Sequence, residues 1–338
     1  MANSLNILTL QVQKYFFIIS LFLIQSTVSL KANTCDKPEV IVTIKPLASI
    51  AQSIMTGVTK PIILLKNLTS PHEGSLTPYQ IYNISKADVI FWIGRNLESY
   101  LEKPIKNLSK SSVNISFIKE KNILLLLLRK PYCFHKNYPK KINNKYNLKY
   151  FTNKKINLNK NIHKQILIDP HIWLYPDNSQ KIALKIAEIL SQVDPNNKNI
   201  YESNAQNFIN SINKICKKIK ENLNLTNNKS FLTMHDGYQY FEKAFHLNGY
   251  KNIFLNNHHT LGNSIKNLKK IIHNMHKLKP SCIIAEKNEV RNFPILVSRI
   301  LKTRLIWSKS INHDYKKILE NIGKSFINCF QKKNTTII

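Results

Sequence analysis

Residues 196–225 read NNKNIYESNAQNFINSINKICKKIKENLNL, and this stretch organises the chain around it. Tyr201, Ala205, Phe208, Ile212, Ile215 and Ile219 step by four and three, which draws one apolar stripe down a helix. Asn, Lys and Glu fill the opposite face, Pro195 suits a helix start, and neither Gly nor Pro interrupts the run. A helix of that span is roughly 45 Å long at 1.5 Å per residue, a stiff rod that predicts little hinge motion. Coiled-coil pairing is the competing reading, and three heptads without a clean pattern of flanking charges make it weak.

On both sides of the rod, short aliphatic runs alternate with helical patterns. Val40 to Ile44, Ile62 to Leu65, Asp88 to Ile93 and Val113 to Ile118 have the unbroken apolar character of strands buried on both faces. Helical stretches at about Leu47 to Met55 and Pro78 to Ser85 separate the first three. After the rod a second set follows at Ser230 to Met234, Ile253 to Leu255, Ser281 to Ala285 and Thr303 to Ile306. Such alternation predicts an α/β protein of two lobes, each with a parallel sheet flanked by helices, bridged by one long rigid helix. The expected division is a signal peptide over 1–32, an N-terminal α/β lobe over 36–194, a linking helix over 195–225 and a C-terminal α/β lobe over 226–332.

The signal assignment rests on Tyr15 to Ile24, an apolar run too short to cross a bilayer comfortably, with Lys14 before it and small residues near Ser29 and Ala32 after it. A membrane anchor is the alternative. Export makes disulfides possible, and five cysteines (Cys35, Cys133, Cys216, Cys282, Cys329) leave at least one thiol over if every bridge is intramolecular. None is spaced as C-x-x-C, which disfavours a cysteine zinc knuckle.

The 338 residues carry 50 basic and 19 acidic side chains, a net charge of +31. Lys is accompanied by Asn and Ile from end to end, the mark of a global compositional drift rather than of a nucleic-acid partner. Only 7 Gly, with no phosphate-binding Gly-rich run, argue against nucleotide chemistry. From Lys121 to Ile168 there is no Asp or Glu, and the Lys/Asn/Tyr-rich part over 129–164 reads as a solvated, mobile insertion. A nucleic-acid arm is the sharper reading of it, disfavoured by export.

Three of the eleven histidines sit in similar settings: His72 in Thr69-Ser70-Pro71-His72-Glu73, just after the Ile62 to Leu65 run; His171 in Asp169-Pro170-His171-Ile172-Trp173, ahead of a helix starting near Asp177; and His235 in His235-Asp236-Gly237-Tyr238, directly after Phe231 to Met234. Open α/β sheets bind ligands beyond the carboxyl ends of their strands, and neutral imidazole is a preferred zinc ligand. Taken singly, each histidine is more often structural than a ligand, and no local spacing such as H-E-x-x-H links them.

A resemblance links them. Ile44-Lys45-Pro46, Pro71-His72-Glu73-Gly74-Ser75-Leu76-Thr77-Pro78, Lys86-Ala87-Asp88-Val89-Ile90-Phe91-Trp92-Ile93-Gly94, Asp169-Pro170-His171-Ile172-Trp173-Leu174, His235-Asp236-Gly237-Tyr238-Gln239-Tyr240-Phe241 and Ile284-Ala285-Glu286 occur in an order that resembles the cluster A-I family, periplasmic solute-binding proteins of metal-uptake ABC transporters, in its zinc-binding form. The resemblance runs from about Val40 to Cys329. It implies a metal held in the cleft between lobes by His72 and His171 from the first and His235 from the second. It also implies a C-terminal disulfide between Cys282 and Cys329, a periplasmic location, no catalysis, and a monomer that captures Zn2+ and delivers it to an inner-membrane permease. The fourth ligand stays open among water, Glu73 and Glu286, and the pairing of Cys35, Cys133 and Cys216 stays open as well.

The chain departs from that family at Pro71, where zinc-binding relatives carry Glu, and near Lys309, where an aspartate is expected. The loop that is rich in His, Asp and Glu in zinc-selective relatives is basic here. Zinc affinity is therefore expected to be weaker than in a better-preserved relative, and a binding protein degenerate in function is one alternative. Three neutral nitrogens still favour zinc over manganese, whose relatives use two His with Glu and Asp. The other alternative is a three-His zinc hydrolase or lyase, with Glu73 or Asp236 as the base.

Overall fold

The structure, a computed structural model, describes residues 37–66, 74–109, 111–129, 168–224, 230–247, 252–256, 279–286, 292–308 and 314–331, with the backbone alone at 235 and 252–256. The expected signal peptide, Cys35, Cys133 and the basic insertion beyond Arg129 lie outside the described residues.

The described residues form two four-stranded sheets. In the first, β1 (Val40–Val42), β2 (Ile62–Ile63), β3 (Val89–Trp92) and β4 (Val113–Ser116) lie in the order β2-β1-β3-β4, every pair parallel. In the second, β5 (Phe231–His235), β6 (Asn252–Asn256), β7 (Cys282–Glu286) and β8 (Arg304–Ser308) repeat that arrangement as β6-β5-β7-β8, again all parallel. In each sheet the chain steps from its first strand to one side and then crosses to the other. This creates a switch point between β1 and β3, and another between β5 and β7, the places where such sheets open a crevice beyond their carboxyl ends.

Burial explains the strands. Every residue of β1 and β3 is buried, as the uninterrupted apolar runs require in a sheet covered on both faces. In the second sheet Leu232, Met234, Ile283 and Ala285 face one side, against Val297 and Leu301 of α7 (Asn292–Leu301). Phe231, Cys282 and Ile284 face the other, with Phe326 and Phe330 of α8 (Tyr315–Phe330) in the same core. The Cys282–Cys329 disulfide fastens the start of β7 to the end of α8.

The strands are shorter than the apolar runs. β2 covers only Ile62–Ile63, although the N–H groups of Leu64 and Leu65 go on to donate to the carbonyls of Val42 and Thr43. The run at Val113 to Ile118 turns after Ser116 into a 3₁₀ turn, Phe117–Lys119. β1 stops at Val42 because Pro46 opens α1 (Lys45–Met55) in its first turn. Among the described residues of the first lobe, further helices are α2 (Pro78–Lys86), started by a Thr77/Gln80 capping box, α3 (Glu102–Leu108) and α4 (Pro176–Val193).

The long helix is α5, Lys198–Asn224, preceded by a 3₁₀ turn at Pro195–Asn197. Its 27 residues span about 40 Å. Tyr201, Ala205, Phe208, Ile212, Ile219 and Leu223 are buried, as the stripe requires, while Ile215 is only partly so. α5 packs on α1 and α4 of the first lobe and on α8 of the second. Asn204 fixes it to the first lobe by donating from Nδ2 to the carbonyls of Ile54 and Thr56, at 2.9 and 2.8 Å. α8 adds a second link: the buried Tyr315 donates from Oη to the Trp173 carbonyl at 2.6 Å and from its N–H to Ser49 Oγ. The molecule is thus an α/β protein of two lobes, each a parallel sheet flanked by helices, bridged by one long helix.

Candidate metal centre

His171 lies in the turn between Asp169 and the 3₁₀ turn Ile172–Leu174 that precedes α4. Pro170 stiffens this turn. Asp169, fully buried, accepts at Oδ1 from the His171 backbone N–H at 3.0 Å and meets His171 Nδ1 at 2.8 Å. With a carboxylate against it, Nδ1 carries the ring proton and the lone pair resides on Nε2. An imidazole held in this way by a carboxylate is fixed in orientation and tautomer as a metal ligand. The ring rests against Trp173, with centroids 5.4 Å apart, and its side chain is 12% exposed.

His235 is the last residue of β5, and Glu286 is the last of β7. The two strands are neighbours in register, Leu232 opposite Ile283 and Thr233 opposite Ile284, so both residues end at the switch point of the second sheet. Tyr238 Oη donates to Glu286 Oε1 at 3.2 Å, which holds this carboxylate at the carboxyl edge of the sheet. His72, Pro71, Glu73 and Lys309 fall outside the described residues. Among the described residues, no three His, Cys, Asp or Glu side chains gather as a metal site.

The segment that follows His235 is tied across to the first lobe. Arg129 Nε donates to both Asp236 oxygens, at 3.0 and 2.9 Å, and its two terminal nitrogens donate to Glu242 at 2.7 and 2.9 Å. Burial alone would weaken the Arg129 charge; the two carboxylates overcome it and hold the guanidinium protonated. Asp236 is therefore engaged in a forked ion pair with Arg129. Gln239 Nε2, in α6 (Gln239–Ala244), donates to Asp169 Oδ2 and to the Leu127 carbonyl, each at 3.0 Å. Tyr240 Oη donates to the Asp169 carbonyl at 3.0 Å and accepts from the Leu126 N–H at 2.9 Å. Burial first, and then the Asp169 charge, hold the Tyr240 phenol well above its ordinary value.

Sequence reasoning singled out His171, His235 and Glu286 but assigned no role to Asp169, Arg129 or Gln239. Asp169 was detectable as a carboxylate two residues before a candidate ligand. Arg129 gave no local signal, because its partners are 107 and 113 residues away.

The model of the family described as "Zinc-uptake complex component A periplasmic" (ZnuA) matches residues 40–311. The high-affinity zinc uptake system protein ZnuA of Brucella abortus is 29% identical over 218 residues, 62% of this chain and 65% of that protein, so the chain spans slightly less than two thirds of that relative. The ZnuA of Haemophilus ducreyi is 30% identical over 257 residues, 76% of this chain and 79% of that protein. A crystal structure of ZnuA matches the fold with a TM-score of 0.69 at 17% identity, over 87% of this chain and 99% of that one. A Zn(II)-bound variant of AdcAII from Streptococcus pneumoniae gives 0.64 at 19% identity, over 87% of this chain and 99% of that one. With its family model covering both lobes, the chain belongs to the ZnuA family, the periplasmic A components of zinc-uptake complexes.

Proposed function

We propose that this protein captures zinc in the periplasm and delivers it to the inner-membrane permease of an ABC transporter. His72 and His171 from the first lobe and His235 from the second are its metal ligands, and water, Glu73 or Glu286 completes the shell. The observation that carries this reading is the 2.8 Å contact of Asp169 with His171 Nδ1, which presents Nε2 as a ligand nitrogen in a member of a zinc-uptake family. The placement of His235 and Glu286 at the switch point of the second sheet supports it, as do the zinc-uptake names of the relatives. A donor set rich in imidazole favours zinc over manganese. The protein acts as a monomer without nucleic acid, and it is a carrier rather than an enzyme. The Arg129 ion pair on Asp236 supports this last point, because it occupies the carboxylate nearest His235 in sequence.

The test is a competitive titration of the mature chain with zinc and manganese, followed by single replacement of His72, His171 and His235 with Ala. Zinc is expected to bind in preference and to raise the melting temperature, by about 2.7 kcal/mol of stabilisation at a hundredfold excess over Kd. Each Ala variant is expected to lose most of that rise. Full zinc stabilisation in all three variants would refute the ligand assignment.

A further inference from the structure

The segments carrying two proposed ligands from opposite lobes are cross-linked by side chains outside the proposed ligand set. Gln239 Nε2 lies 3.0 Å from Asp169 Oδ2, and Asp169 Oδ1 lies 2.8 Å from His171 Nδ1. One buried carboxylate therefore joins the His171 ring to a residue four positions beyond His235. Arg129 closes the same seam from the other side by clasping Asp236, the residue after His235, and Glu242 in the next turn of α6. The carboxylates of Asp236 and Glu242 are each only 6% exposed, so the turn between β5 and α6 is held by desolvated, charge-assisted hydrogen bonds.

We infer that Gln239 and Arg129 are positioning residues for metal binding: they fix the spacing between the His171 and His235 segments, and so set zinc affinity without contacting zinc. This rests on the ligand reading above. Ligands held in place before the ion arrives lose little freedom on binding, and a site whose supports are loosened loses affinity although every ligand remains.

The experiment compares the full mature chain with Gln239→Leu, which keeps the size of the side chain and removes both donated bonds, and with Arg129→Lys, which keeps the charge and removes the fork. Zinc affinity is measured against a competing chelator at 25 °C, where apo protein is folded by circular dichroism, and the visible spectrum is recorded with Co(II) in place of zinc. Gln239→Leu is expected to raise the zinc Kd severalfold, less than the tenfold or more expected for loss of the Asp169 contact that itself holds the His171 ring, and to shift the Co(II) bands. Arg129→Lys is expected to change both in the same direction.

A purely structural role would lower the apo melting temperature and leave Kd and the Co(II) spectrum unchanged; that result in both variants overturns the inference. If Arg129→Lys does not fold, Gln239→Leu alone decides. Absence of zinc binding by the wild-type chain, or wild-type affinity in the His171→Ala and His235→Ala variants, would instead overturn the ligand reading.

Discussion

Asp169 and His171 are joined at two points, with a single carboxylate oxygen reaching both the backbone N–H at 3.0 Å and the ring Nδ1 at 2.8 Å of the same histidine. The ring can neither flip nor exchange tautomer without breaking a bond to a fully buried charge. Asp169→Asn keeps the shape but offers a weaker, neutral acceptor. Zinc affinity of this variant is expected to fall about tenfold or more, measured by chelator competition at fixed pH. Unchanged affinity would show that the contact orients nothing of consequence.

The approach of α8 to α5 is set by Gly323. A Cβ at this position would lie 2.8 Å from both Cδ1 and Cγ1 of Ile219, which is itself buried. Gly323→Ala gains helix propensity of up to about 1 kcal/mol, while overpacking costs about 1–3 kcal/mol. A net loss of about 1 kcal/mol is expected in chemical denaturation. Ile219→Ala is expected to cost less when combined with Gly323→Ala than alone, because the new methyl enters the space left by Ile219. Strict additivity of the two would mean that the helices separate instead of clashing.

Cys282 and Cys329, 47 residues apart, bridge β7 to α8 with both sulfurs in the core. Closing a loop of that length restricts the unfolded chain by about 4 kcal/mol in the chain-entropy model. The double variant Cys282→Ala/Cys329→Ala is expected to lower the melting temperature markedly and to leave the zinc affinity of the folded protein unchanged, since Cys282 lies at the opposite end of β7 from Glu286. Equal melting temperatures with and without the bridge would refute the first expectation.

What the sequence discloses here follows the range of the forces involved. β1 and β3 were legible because a strand covered on both faces is apolar without interruption, β5 and β7 because their buried runs are broken only by Thr233 and the polar end residues, and α5 because a helix lying on two lobes must keep one stripe. The ends of β2 and β4 were not, since Leu64, Leu65 and Phe117 are as apolar and as buried in turns as they would be in strands. The strand-end histidines stood out by residue type, but their association came through resemblance. The Arg129 seam joins residues more than a hundred positions apart and has no periodicity to betray it. Glu98, in Arg95-Asn96-Leu97-Glu98-Ser99, is fully buried, and nothing in its polar surroundings in the sequence signals it.

Glu98 gives the protein a pH dependence of its own. It sits at the carboxyl end of β1 and β3, where Thr43 Oγ1 donates to one oxygen and the Gly94 N–H donates to the other at 3.1 Å. Burial raises its pKa from 4.5 to about 7, and these hydrogen bonds offset only part of the rise. The folded state therefore prefers the protonated acid. Its contribution to stability is fully present below pH 4.5, declines as pH rises through 7, and is gone above that. At about 1.4 kcal/mol per pH unit the difference amounts to about 3 kcal/mol. Glu98→Gln mimics the neutral acid at every pH. Its stability relative to wild type is expected to rise between pH 4.5 and 7 and to level off above, measured by urea denaturation across that range. Because Asp169, the histidines and the other titrating groups are common to both proteins, they cancel in this difference. A wild-type-minus-variant curve that is flat with pH would show that Glu98 titrates alike in the folded and unfolded states, with the Thr43 and Gly94 hydrogen bonds offsetting its burial in full.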